Sequence, residues 1–144
     1  MVILAVDYGD ARTGVAVCDK NEILASPVGV IAEWNPQTLA KRLADEAKAR
    51  GAQRIVMGLP KNMDGSEGFR AEAVRQFAQQ LEEASGLPLI LRDERLTTVS
   101  AHSYLNLTDT RGKKRKQTVD AVAAVIILQE YLDYRRLHPG ETEC

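Results

Sequence analysis

Short apolar runs separated by polar turns occupy the first third of the chain and predict a β meander. Residues 2–6 and 14–18 are continuous apolar runs on either side of a short polar turn, a pattern typical of a hairpin. A third run over residues 23–30 contains Pro27. Because proline lacks the N–H that a central strand needs, this strand is expected at an edge of the sheet.

From residue 35 onward, helical and strand patterns alternate. Asn35 and Pro36 are typical of the N-cap and the first position of a helix, and apolar residues at helical spacing continue this helix as far as Gly51. A strand over 54–58, a long loop, a second helix and a strand over 89–93 are predicted to follow. The apolar face of the second helix and the glycine that ends it are Val74, Phe77, Ala78, Leu81 and Gly86.

The C-terminal third predicts two helices separated by a basic loop. The first has Thr97 or Thr98 as its cap and runs to about Leu107. Polar and basic residues then form a loop up to Thr118, which is predicted to be the N-cap of a last helix over 119–137.

This order of elements predicts an α/β fold, with a five-stranded mixed sheet and helices on both faces. With no internal repeat, low-complexity tract or linker, residues 1–144 are predicted to form a single domain. Right-handed crossovers would make strands one, four and five parallel, so that their carboxyl ends share one edge. Ligands of such sheets bind at that edge.

Composition and charge narrow the functional classes. A hydrophobic share of 44% and a charged share of 27% exclude disordered and membrane classes, and the absence of a cleavable leader predicts a cytoplasmic location. With 19 Lys and Arg against 20 Asp and Glu, the net charge is −1, so nucleic-acid binding would need a local patch. Cys18 and Cys144 have no metal-type spacing.

Acidic residues follow two of the predicted parallel strands. Asp7 comes directly after the first strand, and Asp93 and Glu94 close the fifth. Side chains alternate along a strand, so only one of the last two acids can face a site shared with Asp7. The alternative interpretation is structural, with a backbone amide or Arg12 as the partner of Asp7 and surface salt bridges for the other acids.

Asp120 is predicted in the first turn of the last helix, where the helix dipole alone would favour an acid. The same helix face carries Ala123, Ala124 and Ile127, and its small residues would let the helix press against the sheet. Three converging carboxylates would repel one another without a cation. We therefore predict a Mg²⁺ or Mn²⁺ site made by Asp7, Glu94 and Asp120, able to hold a two-ion clamp roughly 4 Å across for phosphodiester hydrolysis.

Cationic and polar residues around these acids are candidate phosphate contacts. The loop over 58–68 is longer than a simple connection, although it can also be read as a flexible β–α loop. A basic run near residue 113 has five cations in six residues, and such runs are most often solvated loops. The predicted nucleic-acid-binding residues are Arg12, Lys61, Asn62, Arg95, Arg111, Lys113, Lys114, Arg115 and Lys116.

Together these segments resemble the YqgF family, also called RuvX, whose members have a ribonuclease-H-like fold related to the RuvC Holliday junction resolvases. The matching segments are Asp7-Tyr8-Gly9-Asp10-Ala11-Arg12-Thr13-Gly14, Gly58-Leu59-Pro60 with Asn62-Met63-Asp64-Gly65-Ser66-Glu67-Gly68, Asp93-Glu94-Arg95-Leu96-Thr97-Thr98 and Val119-Asp120-Ala121-Val122-Ala123-Ala124. These segments are distributed over almost the whole chain, and they follow one another in the same order as in members of the family. The first segment alone would also fit actin-like ATPases.

The resemblance implies a bacterial, cytoplasmic nuclease that processes the 5′ end of 16S ribosomal RNA precursor, with catalytic acids at Asp7, Glu94 and Asp120. One departure is that Ala123 and Ala124 stand where RuvC relatives place a further acid, which implies one tightly held ion and a second that binds with substrate. One alternative is a resolvase of branched DNA, which would favour a homodimer because two symmetric cuts need two sites; another is a non-catalytic nucleic-acid or transcription adaptor. The chain is predicted to be a monomer or a homodimer. An actin-like ATPase is disfavoured, because such an enzyme needs a second domain that closes over the nucleotide.

Overall fold

Five strands and three helices form the part of the chain that the computed structural model describes, namely residues 1–9, 11–60, 68–93 and 112–137. At 93 and 112–121 only the backbone path is described. The strands are β1 (Ile3–Asp7), β2 (Arg12–Cys18), β3 (Ala25–Ala32), β4 (Arg54–Leu59) and β5 (Leu89–Asp93), and the helices are α1 (Pro36–Ala49), α2 (Phe69–Ser85) and α3 (Gly112–Leu137).

The strands form one mixed sheet in the order β3-β2-β1-β4-β5. Strands β1, β2 and β3 pair antiparallel as a meander, whereas β4 pairs parallel to β1 and β5 parallel to β4. The predicted five-stranded mixed sheet is thus confirmed, and so is the position of the Pro27 strand at an edge. The parallel strands end at one common edge, called here the carboxyl edge; the opposite one is the amino edge.

Alternation of side chains along the strands produces two cores, one on each face of the sheet. One face packs against α1 and α2, with Leu4, Val6, Ile55 and Met57 among its buried residues. The other face packs against α3, with Ile3, Ala5, Ala16 and Val56. Helices on both faces, as predicted, shield the two sides of the sheet from water.

The ends of α1 and α2 agree with the sequence prediction because they depend on local chemistry. The Asn35 side chain accepts hydrogen bonds from the backbone N–H groups of Gln37 and Thr38, and Pro36 occupies the first turn. Helix α2 ends at Gly86, which has the left-handed φ of 69° that a side chain disfavours. Both helices follow strands that end at the carboxyl edge, so both begin there.

The start of the last helix differs from the prediction. Helix α3 begins at Gly112 rather than near residue 119, so the basic run from Lys113 to Lys116 is helical and not a loop. Thr118 is inside the helix and is not its N-cap, and Asp120 is its ninth residue rather than part of the first turn. The physical reason is that Lys, Arg and Gln are good helix formers and no proline interrupts this stretch.

Two predicted elements lie outside the described residues: most of the loop over 58–68 and the helix between Thr97 and Leu107. The single-domain extent of 1–144 stays a prediction. Across the ranges that the structure covers, none of the helices combines the length and the apolar character needed to cross a membrane.

Candidate active site at the carboxyl edge of the sheet

Asp7 is the last residue of β1 and lies between two glycines at the carboxyl edge. On one side it pairs with Gly14 of β2. On the other side the parallel register, with Val6 opposite Met57, brings Asp7 level with Gly58 of β4, which itself pairs with Arg92 of β5. The residues directly opposite Asp7 on both neighbouring strands are therefore glycines, which have no side chain at these two positions.

The Asp7 side chain belongs to the sheet face that α3 covers. Ile3 and Ala5 of the same strand pack in the α3 core, and strand alternation gives position 7 the same face. On β2, Ala16 and Cys18 belong to this core, so position 12 shares the face as well. The predicted role of Arg12 as a phosphate contact stays a prediction.

The turn after Asp7 is packed too tightly for a side chain at Gly9. A Cβ atom built at Gly9 would lie 2.1 Å from the Arg12 carbonyl oxygen. The Gly9 N–H also donates to Thr13 Oγ1 at 3.3 Å, and Thr13 is completely buried. Glycine is thus required here by the close approach of the backbone, which holds the turn against the end of β1.

Helix α2 is tied to the same turn through Arg70 and Phe77. The Arg70 guanidinium donates to the Tyr8 carbonyl oxygen at 2.8 Å and lies 6.0 Å from the centre of the Tyr8 ring. That ring stacks on Phe77, with ring centres 4.2 Å apart and planes 7° from parallel. These contacts hold the first turn of α2 beside the residue that follows Asp7.

The C-terminal half of α3 lies at the amino edge of the sheet. The Tyr131 hydroxyl accepts from Arg54 at the start of β4 at 2.7 Å, and Arg135 pairs with Glu22 in the β2–β3 turn at 2.6 Å. Followed toward its N-terminus, the helix crosses the sheet through the buried Ala124. Position 120, one turn earlier on the same helix face, continues in that direction.

Only part of the predicted site lies within the described residues. Asp7 and Arg12 lie at the carboxyl edge on the same sheet face, whereas the position of Asp120 is described by its backbone alone. In the described portion of the chain, no group of three or more acidic, histidine or cysteine side chains could hold a metal ion. The predicted residues outside it are Lys61, Asn62, Glu94, Arg95 and Arg111; Lys113, Lys114, Arg115 and Lys116 are described as helical backbone.

Sequence reasoning missed two kinds of residue at the edge that carries Asp7. Arg70 is separated from Tyr8 by more than sixty positions, and no pattern around it indicates that contact. The exposed aromatic residues Trp34 and Phe69 were also missed, because an isolated ring in a sequence gives no sign of whether it will be buried. Only the folded arrangement identifies them.

The comparison with known families decides the classification. A family model described as "RuvX: Holliday junction resolvase" matches residues 1–134. The chain belongs to the RuvX family. The predicted resemblance is thereby confirmed over most of the chain.

Relatives in this family are similar over nearly their whole length. The "Putative pre-16S rRNA nuclease" of Chloroflexus aurantiacus is 40% identical, with 98% of this chain and 92% of the relative covered. The protein of the same name from Leuconostoc citreum is 46% identical, with 92% of this chain and 95% of the relative covered.

Solved structures share the fold at low sequence identity. Thermus thermophilus RuvC in complex with a Holliday junction substrate has a TM-score of 0.59 and 13% identity, covering 96% of each chain. The fowlpox virus Holliday junction resolvase has a TM-score of 0.56 and 12% identity, covering 93% of this RuvX chain and 99% of the resolvase. The predicted ribonuclease-H-like fold is confirmed.

Proposed function

We propose that this RuvX protein is a metal-dependent nuclease that processes the 5′ end of 16S ribosomal RNA precursor in the cytoplasm. The names of the relatives support this substrate. The observation that carries the reaction class is the position of Asp7 at the carboxyl edge, between Gly14 and Gly58 on the sheet face covered by α3. A carboxylate at this position can bind a ligand that approaches the carboxyl edge of the sheet.

Three chain segments supply the proposed Mg²⁺ or Mn²⁺ ligands: Asp7 after β1, Glu94 after β5, and Asp120 on α3. Carboxylate oxygens are the donors that these hard ions prefer. Positions 90 and 92 of β5 share the α3 face, since Ile90 packs in its core and Arg92 lies against Tyr131. Position 94 has the same parity, which favours Glu94 over Asp93 as the ligand.

A divalent ion held there would polarise the phosphodiester and lower the pKa of the attacking water. The chain's own contribution is to keep the ligands in place. Glycine at position 9 and the contact between Arg70 and the Tyr8 carbonyl hold the turn that follows Asp7. Because the ligands are held in place before the substrate binds, these side chains need to move less during the reaction.

Cations at the same edge would hold the phosphate backbone of the substrate. Arg12 shares the face of Asp7, and the exposed Arg70 guanidinium lies at the adjacent turn. The other proposed phosphate contacts are Lys61, Asn62, Arg95, Arg111, Lys113, Lys114, Arg115 and Lys116. Because such contacts release counterions, the affinity for nucleic acid should fall as the salt concentration rises.

Branched DNA is the second candidate substrate. The family description favours it, and two symmetric cuts across a junction would call for a homodimer. A non-catalytic adaptor is the remaining alternative, and it would bind nucleic acid without needing the acids.

Cleavage of labelled 16S precursor RNA and of a four-way DNA junction, measured side by side, tests the proposal. We expect RNA cleavage with Mg²⁺ or Mn²⁺, none with chelator, and a loss of at least about a hundredfold in Asp7→Asn, because the metal would lose a charged ligand. Asp45→Asn removes an exposed acid on α1 and should keep full activity.

The remaining outcomes separate the alternatives. Metal-dependent cleavage of the junction alone would replace precursor RNA by branched DNA as the substrate. Binding of both substrates without cleavage of either would favour the adaptor. Full activity of Asp7→Asn would contradict the assignment of the metal site.

A further inference from the structure

Two exposed aromatic side chains lie at the carboxyl edge of the sheet. Trp34, between β3 and α1, is 75% exposed, and Phe69, the first residue of α2, is 90% exposed. Two of the large exposed aliphatic residues, Ile23 and Leu24, lie in the β2–β3 turn at the amino edge. Single exposed apolar residues are common, but here the exposed rings are at the edge that carries Asp7.

Hydrogen bonds from the residue next to each ring reach the turn that follows Asp7. The Glu33 N–H donates to the Ala11 carbonyl oxygen at 3.0 Å, and Trp34 is the next residue. Arg70 donates to the Tyr8 carbonyl oxygen at 2.8 Å, and Phe69 is the residue before it. The segments that carry the two rings are therefore hydrogen-bonded to opposite ends of the same short turn, at Ala11 and Tyr8.

The cations near these rings favour an anionic ligand that also has flat apolar faces; of the two nearby acids, Glu33 pairs with Arg42, and Glu72 is in the first turn of α2. Arg70 is adjacent to Phe69 and exposed, and Arg12 lies at the end of the turn. Helices α1 and α2 both begin at this edge, so the positive ends of their dipoles are there as well. Unpaired nucleotides combine phosphate charge with bases that stack on aromatic rings.

We propose that Trp34 and Phe69 form a stacking site for unpaired bases of the substrate, at the sheet edge that carries Asp7. The inference rests on the proposed function, because it takes nucleic acid as the ligand. It narrows the substrate to nucleic acid with a single-stranded stretch at the edge that carries Asp7. Bases within an intact duplex are stacked on one another and would not engage the rings.

The single tryptophan of the chain provides a direct test, because Trp34 is the only source of indole fluorescence. The Asp7→Asn protein in chelator is titrated with a single-stranded RNA of about twelve nucleotides, a blunt duplex of the same sequence, and an abasic chain of equal length and charge. We expect quenching of the Trp34 emission by the single strand and none by the abasic chain or the duplex.

Substitutions give a second measurement by fluorescence anisotropy of the labelled RNA. Phe69→Ala and Trp34→Leu should each weaken single-strand binding by about tenfold, because each removes one stacked base. Phe69→Tyr should restore binding, and Ile23→Ala, at the opposite edge, should leave it unchanged. Thermal midpoints close to that of the parent would establish that the variants are folded.

Equal affinity for the abasic chain, or unchanged binding by both Phe69→Ala and Trp34→Leu, would overturn the inference; the rings would then be candidates for a protein contact. Failure here is distinguishable from failure of the proposed function, because these assays use a protein without Asp7 and involve no cleavage. Stacking without cleavage by the wild type would contradict the nuclease and leave the stacking site in place.

Discussion

Gly9 shows how one residue can matter to the site without taking part in any chemistry. Its hydrogen atom faces the Arg12 carbonyl oxygen, where a methyl group would come within 2.1 Å. The obstacle is backbone, so a rotamer change in a side chain cannot relieve it. The turn itself would have to move, and Asp7 is only two residues away.

Gly9→Ala should therefore reduce nuclease activity by more than tenfold while lowering the free energy of unfolding by about 1–3 kcal/mol. Urea denaturation and RNA cleavage measure the two effects. Gly86→Ala is the matched control, because it introduces strain of about 1–2 kcal/mol at a left-handed φ of 69° with no atom nearby to clash with. It should keep its activity, and full activity in Gly9→Ala would contradict the structural role of the turn.

Asp7 and Arg12 could be proposed from sequence because each adjoins a recognisable strand. Trp34, Phe69 and Arg70 could not, since their exposure and contacts depend on which segments meet at the carboxyl edge. The two glycines beside Asp7 also become neighbours only through the register of three strands. The alternation of side chains along one strand can be predicted from a sequence, whereas the register between neighbouring strands cannot.

At the level of elements, α3 is joined to the β2–β3 turn by an ion pair. Glu22 accepts hydrogen bonds from Arg135 and from the Met1 amino group. Burial raises the pKa of the Glu22 carboxyl, but the hydrogen bonds and charges of these partners lower it more, so the pKa lies below its ordinary value. The folded state thus favours the ionised carboxylate.

Glu22→Gln should lower the free energy of unfolding by about 1–2 kcal/mol at neutral pH, since a partly buried charged hydrogen bond is lost. For a depressed pKa the contribution is complete above the unfolded value near 4.3 and disappears as the pH falls through the lower folded value. Urea denaturation from pH 7 down to pH 3 should show the wild-type and variant stabilities converging. A constant difference across this range would contradict the ion pair.

Helix boundaries could be predicted where a single residue determines them. Asn35 and Pro36 start α1, and Gly86 ends α2, because a side-chain cap and a left-handed φ are local properties. The start of α3 was wrong by about two turns. Thr118 resembles an N-cap, but good helix formers precede it, so the helix continues past it toward Gly112.

At the level of the whole molecule, the proposed metal ligands come from three distant segments of the chain. Asp7, Glu94 and Asp120 span 114 positions of the sequence. An ion that binds only when the segments are assembled binds the native state and not the unfolded one. Its free energy of binding therefore adds to the stability of the fold.

Mn²⁺ should raise the thermal unfolding midpoint of the wild type, and the shift should be greatly reduced in Asp7→Asn and Asp120→Asn. At an ion concentration a hundred times the dissociation constant, the stabilisation is about 2.7 kcal/mol. Differential scanning fluorimetry with and without chelator measures the shift. The Asp45→Asn protein should respond like the wild type, and an equal response from Asp7→Asn would place the ion elsewhere.

The irregular edge strand β3 also bears on how the protein behaves at high concentration. A straight, exposed edge strand is a template on which a second copy can add its own strand, which is the first step toward aggregates. In β3, Pro27 lacks an N–H and the pairing with β2 shifts register between Val15 and Ala16, close to Gly29 with its φ of 145°. These interruptions make the edge a poor template, so the apolar residues that follow Pro27 can lie at the rim of the sheet without promoting precipitation.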